Sequence, residues 1–118
     1  MSLIALALSS LLLQTPAEPE LAVIDARLGD CSADFTVKDA DGKPIYAAVI
    51  HVRVRYGFMS LKRMDLEVGT NSDGRARVAG LPAKAKPLTY DITKADKTTT
   101  AQQDLVTACQ AKYDVSLK

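Results

Sequence analysis

Short runs of strict apolar–polar alternation recur through this chain from about residue 20 onward, each bounded by turn-forming residues. Period two puts successive side chains on opposite faces of an extended backbone, so each run reads as a half-buried strand. Ala33, Phe35 and Val37 alternate with Asp34, Thr36 and Lys38. Ile50, Val52, Val54 and Tyr56 alternate with His51, Arg53 and Arg55, the clearest strand of all. Met64, Leu66 and Val68 follow, then Ala76 and Val78 between Arg75 and Arg77, then Leu88–Ile92, the Thr98–Thr100 run and Tyr113–Leu117. Asp39-Ala40-Asp41-Gly42-Lys43-Pro44, Gly57-Phe58-Met59-Ser60, Asn71-Ser72-Asp73-Gly74 and Gly80-Leu81-Pro82 separate them. Such residues close turns by supplying positive φ, side-chain caps or a missing N–H.

Seven or so short strands at this spacing predict an all-β fold, a single antiparallel seven-stranded β-sandwich. Leu21–Leu28 is a candidate extra leading strand. Residues 101–107 stay open between strand and helix. Leu105, Val106 and Cys109 fit one helical face, and Thr100 with Gln103 has capping-box spacing, but a β-branched run adjoins them.

Residues 1–17 differ from the rest. They hold no charged side chain, and Leu3–Leu13 is a largely apolar run of eleven. A spanning helix needs about 20 such residues, whereas about 7–15 suit the apolar region of a secretory signal peptide. Thr15-Pro16-Ala17 supplies small residues for cleavage before Glu18. The expected organisation is a signal peptide over 1–17 and a sandwich over 18–118, exported to the periplasm or outside the cell. The alternative is a retained apolar helix, which would make the chain a membrane-anchored accessory subunit of a larger assembly.

Export gives the two cysteines a meaning. Cys31 and Cys109 lie near the two ends of the mature domain, with no C-x-x-C spacing, and an even pair in an oxidising compartment reads as a disulfide. Closing a loop of about 80 residues stabilises by roughly 4.5 kcal/mol in the chain-entropy model.

Charge narrows the function. Fifteen Lys and Arg against fourteen Asp and Glu leave a formal +1, unlike the strong basic excess of a nucleic-acid binder. The distribution is uneven: Arg53–Lys97 holds ten basic and five acidic residues, Glu18–Val52 three and seven. Arg53 and Arg55 are expected to face Asp65 and Glu67 across a hairpin, which supports strand pairing. One His excludes a multi-His metal site, and His51 has no nucleophile beside it in sequence. Asp39, Asp41 and Asp73 begin a calcium-like alternation, but no Glu completes it and turn chemistry accounts for them. We expect no catalytic residue, metal or cofactor. Phe58 and Met59 fall at a hairpin tip, where they either form a contact surface or fold back over the open end of the sandwich.

The segment Phe35-Thr36-Val37-Lys38-Asp39-Ala40-Asp41-Gly42-Lys43-Pro44-Ile45, with Ala47-Ala48-Val49, Thr70–Gly74, Val78–Pro82 and Tyr90-Asp91-Ile92, resembles carboxypeptidase regulatory-like domains of the transthyretin-like and Cna-B-like sandwich group. The resemblance covers roughly residues 32–94. It implies an accessory domain that supports, spaces or attaches, and it places Arg75 and Arg77 on the sheet opposite Arg53 and Arg55. Two active variants of that architecture are disfavoured. An intramolecular isopeptide bond would use Lys38 and Asp114, but Thr93-Lys94 stand where its assisting Glu belongs. The hydroxyisourate hydrolases need several His and a terminal Tyr-Arg-Gly-Ser, whereas this chain ends Val115-Ser116-Leu117-Lys118. The expected function is therefore non-catalytic binding or support. The partner would be another protein or a cell-surface component, met through Phe58, Met59, Arg53 and Arg55 or through a free sheet edge. No nucleic acid is expected, and a membrane only if 1–17 are retained.

Overall fold

A computed structural model describes residues 20–118; the segment 1–17, with its signal-peptide reading, lies outside them. Among the described residues there are eight strands: β1 (Ala22–Asp25), β2 (Cys31–Asp39), β3 (Val49–Tyr56), β4 (Lys62–Gly69), β5 (Arg75–Leu81), β6 (Leu88–Lys94), β7 (Lys97–Gln103) and β8 (Gln110–Leu117). They form two four-stranded sheets, ordered β1-β5-β2-β8 and β4-β3-β6-β7. The all-β sandwich is as the alternation predicts. Its detail differs in two ways. The leading segment does supply a strand, making eight, and two pairings are parallel: β1 with β5 and β2 with β8. Alternation reports which face a side chain takes, not the direction of the neighbouring strand, so the parallel pairs left no mark in the pattern.

The core lies between the inner faces. Phe35 and Val37 from β2, Val78 and Leu81 from β5 and Leu117 from β8 meet Ile50, Val52 and Val54 from β3 and Leu88, Tyr90 and Ile92 from β6, all buried. Each large apolar side chain removed from water contributes about 1.5–3 kcal/mol. Phe35 is the aromatic centre, edge-on to Tyr90 at 4.8 Å between centroids and stacked on Tyr113 at 5.3 Å. Lys38 and Asp114 are exposed, each opposite another residue of the β2–β8 ladder: Lys38 faces Ser116 and Thr36 faces Asp114.

Residues 97–103 are strand, which resolves the first half of the ambiguous segment. The chain then makes a single turn rather than a helix. The Asp104 carboxylate accepts from the Val106 N–H, and the Ala108 N–H donates to the Asp104 carbonyl. Leu105 is buried beneath that turn while Val106 is exposed. The turn stops because Cys109 is bonded to Cys31, with Cα atoms 4.6 Å apart. Ser32 pairs with Gln110, so the cystine occupies the next step of the parallel β2–β8 register. That bond fits an oxidising compartment.

Beside the cystine sits a buried polar cluster that the alternation gave no hint of. The Tyr90 hydroxyl donates to Gln103 Oε1, and Gln103 Nε2 donates to the carbonyls of Ser32 at 3.0 Å and Ala108 at 2.7 Å. Burial, with the nearby Tyr113 adding a smaller push, holds the Tyr90 phenol well above its ordinary range. Among the described residues no buried side-chain polar atom lacks a partner.

Candidate functional site

The β3–β4 hairpin closes at Gly57–Leu61. Gly57 takes φ 80°, which glycine adopts without strain, and a short 3₁₀ turn over Phe58–Ser60 follows. Ser60 N–H donates to the Gly57 carbonyl at 3.1 Å, and Leu61 N–H to the Phe58 carbonyl at 3.2 Å. Met59 and Ser60 both sit in the left-handed region, at φ 55° and 56°. Residues with a Cβ are uncommon there; Arg27, Ala47 and Ala95 in other turns of the chain share the conformation, but two such residues in succession occur at this tip.

The tip residues do not fold back over the sandwich. Phe58 is 83% exposed, Met59 77% and Leu61 78%. Three large apolar side chains within four residues thus stand in water at one convex point. That exposure excludes the reading of the tip as a lid over the sandwich.

Cations flank it. Arg55 faces Arg63 across the ladder and Tyr56 faces Lys62, whose aliphatic stem runs beside Gly57. The β5–β6 loop, held at both ends by Pro82 and Pro87, brings Lys84 into a shallow cleft with Arg55, Gly57 and Ser60. Lys86 lines a groove of about 420 Å³ with His51, Arg53, Arg55, Thr89 and Asp91. Arg53 and Arg55 therefore share one groove, and only Arg55 reaches toward the tip.

The expected cross-strand pairing holds for one of the two arginines. Arg53 faces Asp65 and donates from Nε to Oδ1 at 3.0 Å. Glu67 instead faces His51, and Arg55 meets Arg63, a like charge. The reason is loop length: the five residues 57–61 fix a register in which 53 pairs with 65, so 55 must pair with 63. The Arg53 hydrogen bond holds the Asp65 carboxyl below its ordinary range. Desolvation opposes this, and the charges of Arg53 and His51 assist. His51 Nε2 lies 3.4 Å from Asp65 Oδ1, with Glu67 and Asp91 as its ladder neighbours on either side. The outer face of this sheet thus grades from carboxylate-rich around His51 to wholly basic at the tip. Arg75 and Arg77 do lie on the other sheet, where Arg77 is paired with Asp34.

The aspartates weighed for calcium lie in turns, and the Asp39 carboxylate is engaged by one. Asp39 Oδ1 accepts from the N–H groups of Asp41 and Lys43, both at 2.9 Å. The Asp73 N–H donates to Asn71 Oδ1. Among the described residues no group of three or more His, Cys, Asp or Glu is clustered as metal ligands would be.

The fold and this site define a small two-sheet β-sandwich domain with an exposed apolar tip in a basic setting. No family model matches the chain. No curated protein matches it either. Solved structures do. Catechol 1,2-dioxygenase from Pseudomonas arvilla C-1 aligns with a TM-score of 0.56 at 13% identity, over 88% of this chain and 59% of that one. A 3-chlorocatechol 1,2-dioxygenase from Rhodococcus opacus 1CP aligns with a TM-score of 0.48 at 17% identity, over 89% and 68%. A mercury-inhibited catechol 1,2-dioxygenase from Acinetobacter sp. ADP1 gives 0.47 at 15%, over 81% and 56%. This chain thus spans less than two thirds of the length of the first of them. At such identity the likeness is one of fold.

It nevertheless corrects one expectation. The family resemblance and the lack of a nucleophile beside His51 imply that the chain is not an enzyme. The similar chain from Pseudomonas arvilla is an enzyme, so the architecture gives no ground for that exclusion.

Proposed function

We propose that this chain is an exported sandwich domain, of the carboxypeptidase regulatory-like kind, that works by docking a partner at its β3–β4 end. Residues 1–17 act as the export signal and 18–118 as the docking domain. The exposure of Phe58, Met59 and Leu61 together on a left-handed turn is the observation that carries this reading. Folding gains nothing from apolar side chains held in water or from the strained backbone beneath them. A partner that covers them gains both apolar burial and a pre-formed shape. Arg55 belongs to the contact, and Arg53, held by Asp65, borders it. The disulfide, with its oxidising compartment, supports an extracytoplasmic setting.

The test is a photo-reactive phenylalanine analogue at residue 58, introduced in the full chain in its host, with the same analogue at Tyr46 as control. Tyr46 is also exposed but lies in the β2–β3 loop, at the opposite end of the sandwich. A cross-linked species specific to residue 58 is expected. Equal labelling from both positions, or none from either, would refute docking at the tip.

A further inference from the structure

We infer that the surface met by the β3–β4 end is an anionic lipid bilayer: Phe58, Met59 and Leu61 enter the interfacial layer, and Arg55, Lys62, Arg63, Lys84 and Lys86 lie against the phosphate-bearing headgroups. This rests on the docking reading and names its partner.

Shape comes first. The apolar residues crown a protrusion rather than line a groove, and a convex apolar wedge suits a deformable medium that closes around it. The turn bonds of Ser60 and Leu61 already satisfy two tip N–H groups, which lowers the cost of carrying this backbone toward the interface. Charge comes second. Residues 55–63 and 82–87 contribute five Lys and Arg and no Asp or Glu. The nearest carboxylate on the ladder, Asp65, is held by Arg53. The other acids at this end, Asp25, Asp30 and Asp104, sit at the end of β1 and on the β1–β2 and β7–β8 loops; Asp25 Oδ1 accepts from the Arg27 N–H, and the Asp104 carboxylate caps its own turn. That turn also exposes Val106 at this same end of the sandwich. Apolar residues with basic neighbours form the combination that binds anionic interfaces, by burial and headgroup attraction together.

Among the described residues, the opposite end exposes Tyr46 but has no apolar cluster in a purely basic setting. Its three turns, 39–45, 70–75 and 94–97, carry Asp39, Asp41, Asp73 and Asp96 against Lys43, Arg75, Lys94 and Lys97, so acids and bases balance there. Orientation follows: the sandwich stands on its β3–β4 end with the polar turns directed into water.

The chain has no tryptophan, so Phe58→Trp places a single indole at the tip of the full-length protein. Its emission is read against vesicles of about 30 mol% phosphatidylglycerol in phosphatidylcholine, and against phosphatidylcholine alone. A blue shift on the anionic vesicles only is expected, with quenching by brominated acyl chains, while Tyr46→Trp stays unshifted. Lys84→Gln with Lys86→Gln should weaken partitioning by about 25-fold, roughly fivefold per charge. Added salt should weaken it similarly. An unshifted Phe58→Trp, an equal shift at Tyr46→Trp, or equal shifts on both vesicle types would overturn the inference. A tip that cross-links a protein in the host yet gives no shift would end the lipid assignment and leave the docking reading intact. Silence in both experiments would end both. Because the indole reports on residue 58 alone, association through residues 1–17 does not produce the expected signal.

Discussion

The two ends of this sandwich solve the same problem, reversing a chain between strands, in opposite ways. At one end Asn71 accepts from the N–H groups of Asp73 and Arg75 and donates to the Glu20 carbonyl. The buried Thr70 hydroxyl donates to Ile45 and accepts from Ala48, and Gly74 takes φ 73° beneath Val37 and Pro44. The polar side chains of Thr70 and Asn71 are explained by the turns they make. At the other end Phe58, Met59 and Leu61 bond nothing through their side chains, and Met59 holds a conformation that glycine would adopt more easily. The contrast separates residues that serve the fold from residues that the fold merely presents.

Substitutions can break or sharpen that contrast. Gly74→Val should cost most, about 3–5 kcal/mol, because the new side chain meets the Val37 carbonyl in a left-handed conformation; the denaturant midpoint reads this. Gln103→Leu should cost about 2–3 kcal/mol by orphaning the Tyr90 hydroxyl and two carbonyls. That residue lies at the basic end, so a large loss there would show that burial, not the choice of end, decides. Asn71→Ala should cost about 1–2 kcal/mol by the same measurement. Met59→Gly should raise the midpoint slightly, by up to about 1 kcal/mol, since it relieves strain and removes no packing. A loss of stability there instead would mean that the tip serves the fold after all.

Much of this architecture is legible in the residue pattern, for physical reasons that also mark where it fails. Ile50, Val52 and Val54 declare an inward face because water and core sort alternate side chains. Asp39 and Asn71 declare turns because their carboxylate and amide bond nearby N–H groups. The Cys31–Cys109 bond is legible from pairing arithmetic once residues 1–17 are read as an export signal. Gln103 is not legible: a polar residue in an alternating run looks solvated, and only the closing cystine loop puts it inside. The Arg55–Arg63 pair is missed because register depends on a loop length that alternation does not specify. At the tip, Phe58 and Met59 are visible as apolar residues in a turn, but their exposure depends on the conformation of Met59 and Ser60.

The strand order has a consequence in time. One sheet is built around two hairpins local in sequence, β3–β4 and β6–β7. The other joins strands distant along the chain, β2 with β5 and with β8, and its cystine spans a separation of 78 residues. Closing long loops is slower than zipping short ones, so assembly should run from the first sheet to the second. Amide exchange during refolding should therefore protect β3 and β4 before β8. Until the last strand arrives, the edge of β2 stays open to other chains. The oxidation of Cys31 and Cys109 is then the step that ends this vulnerable interval.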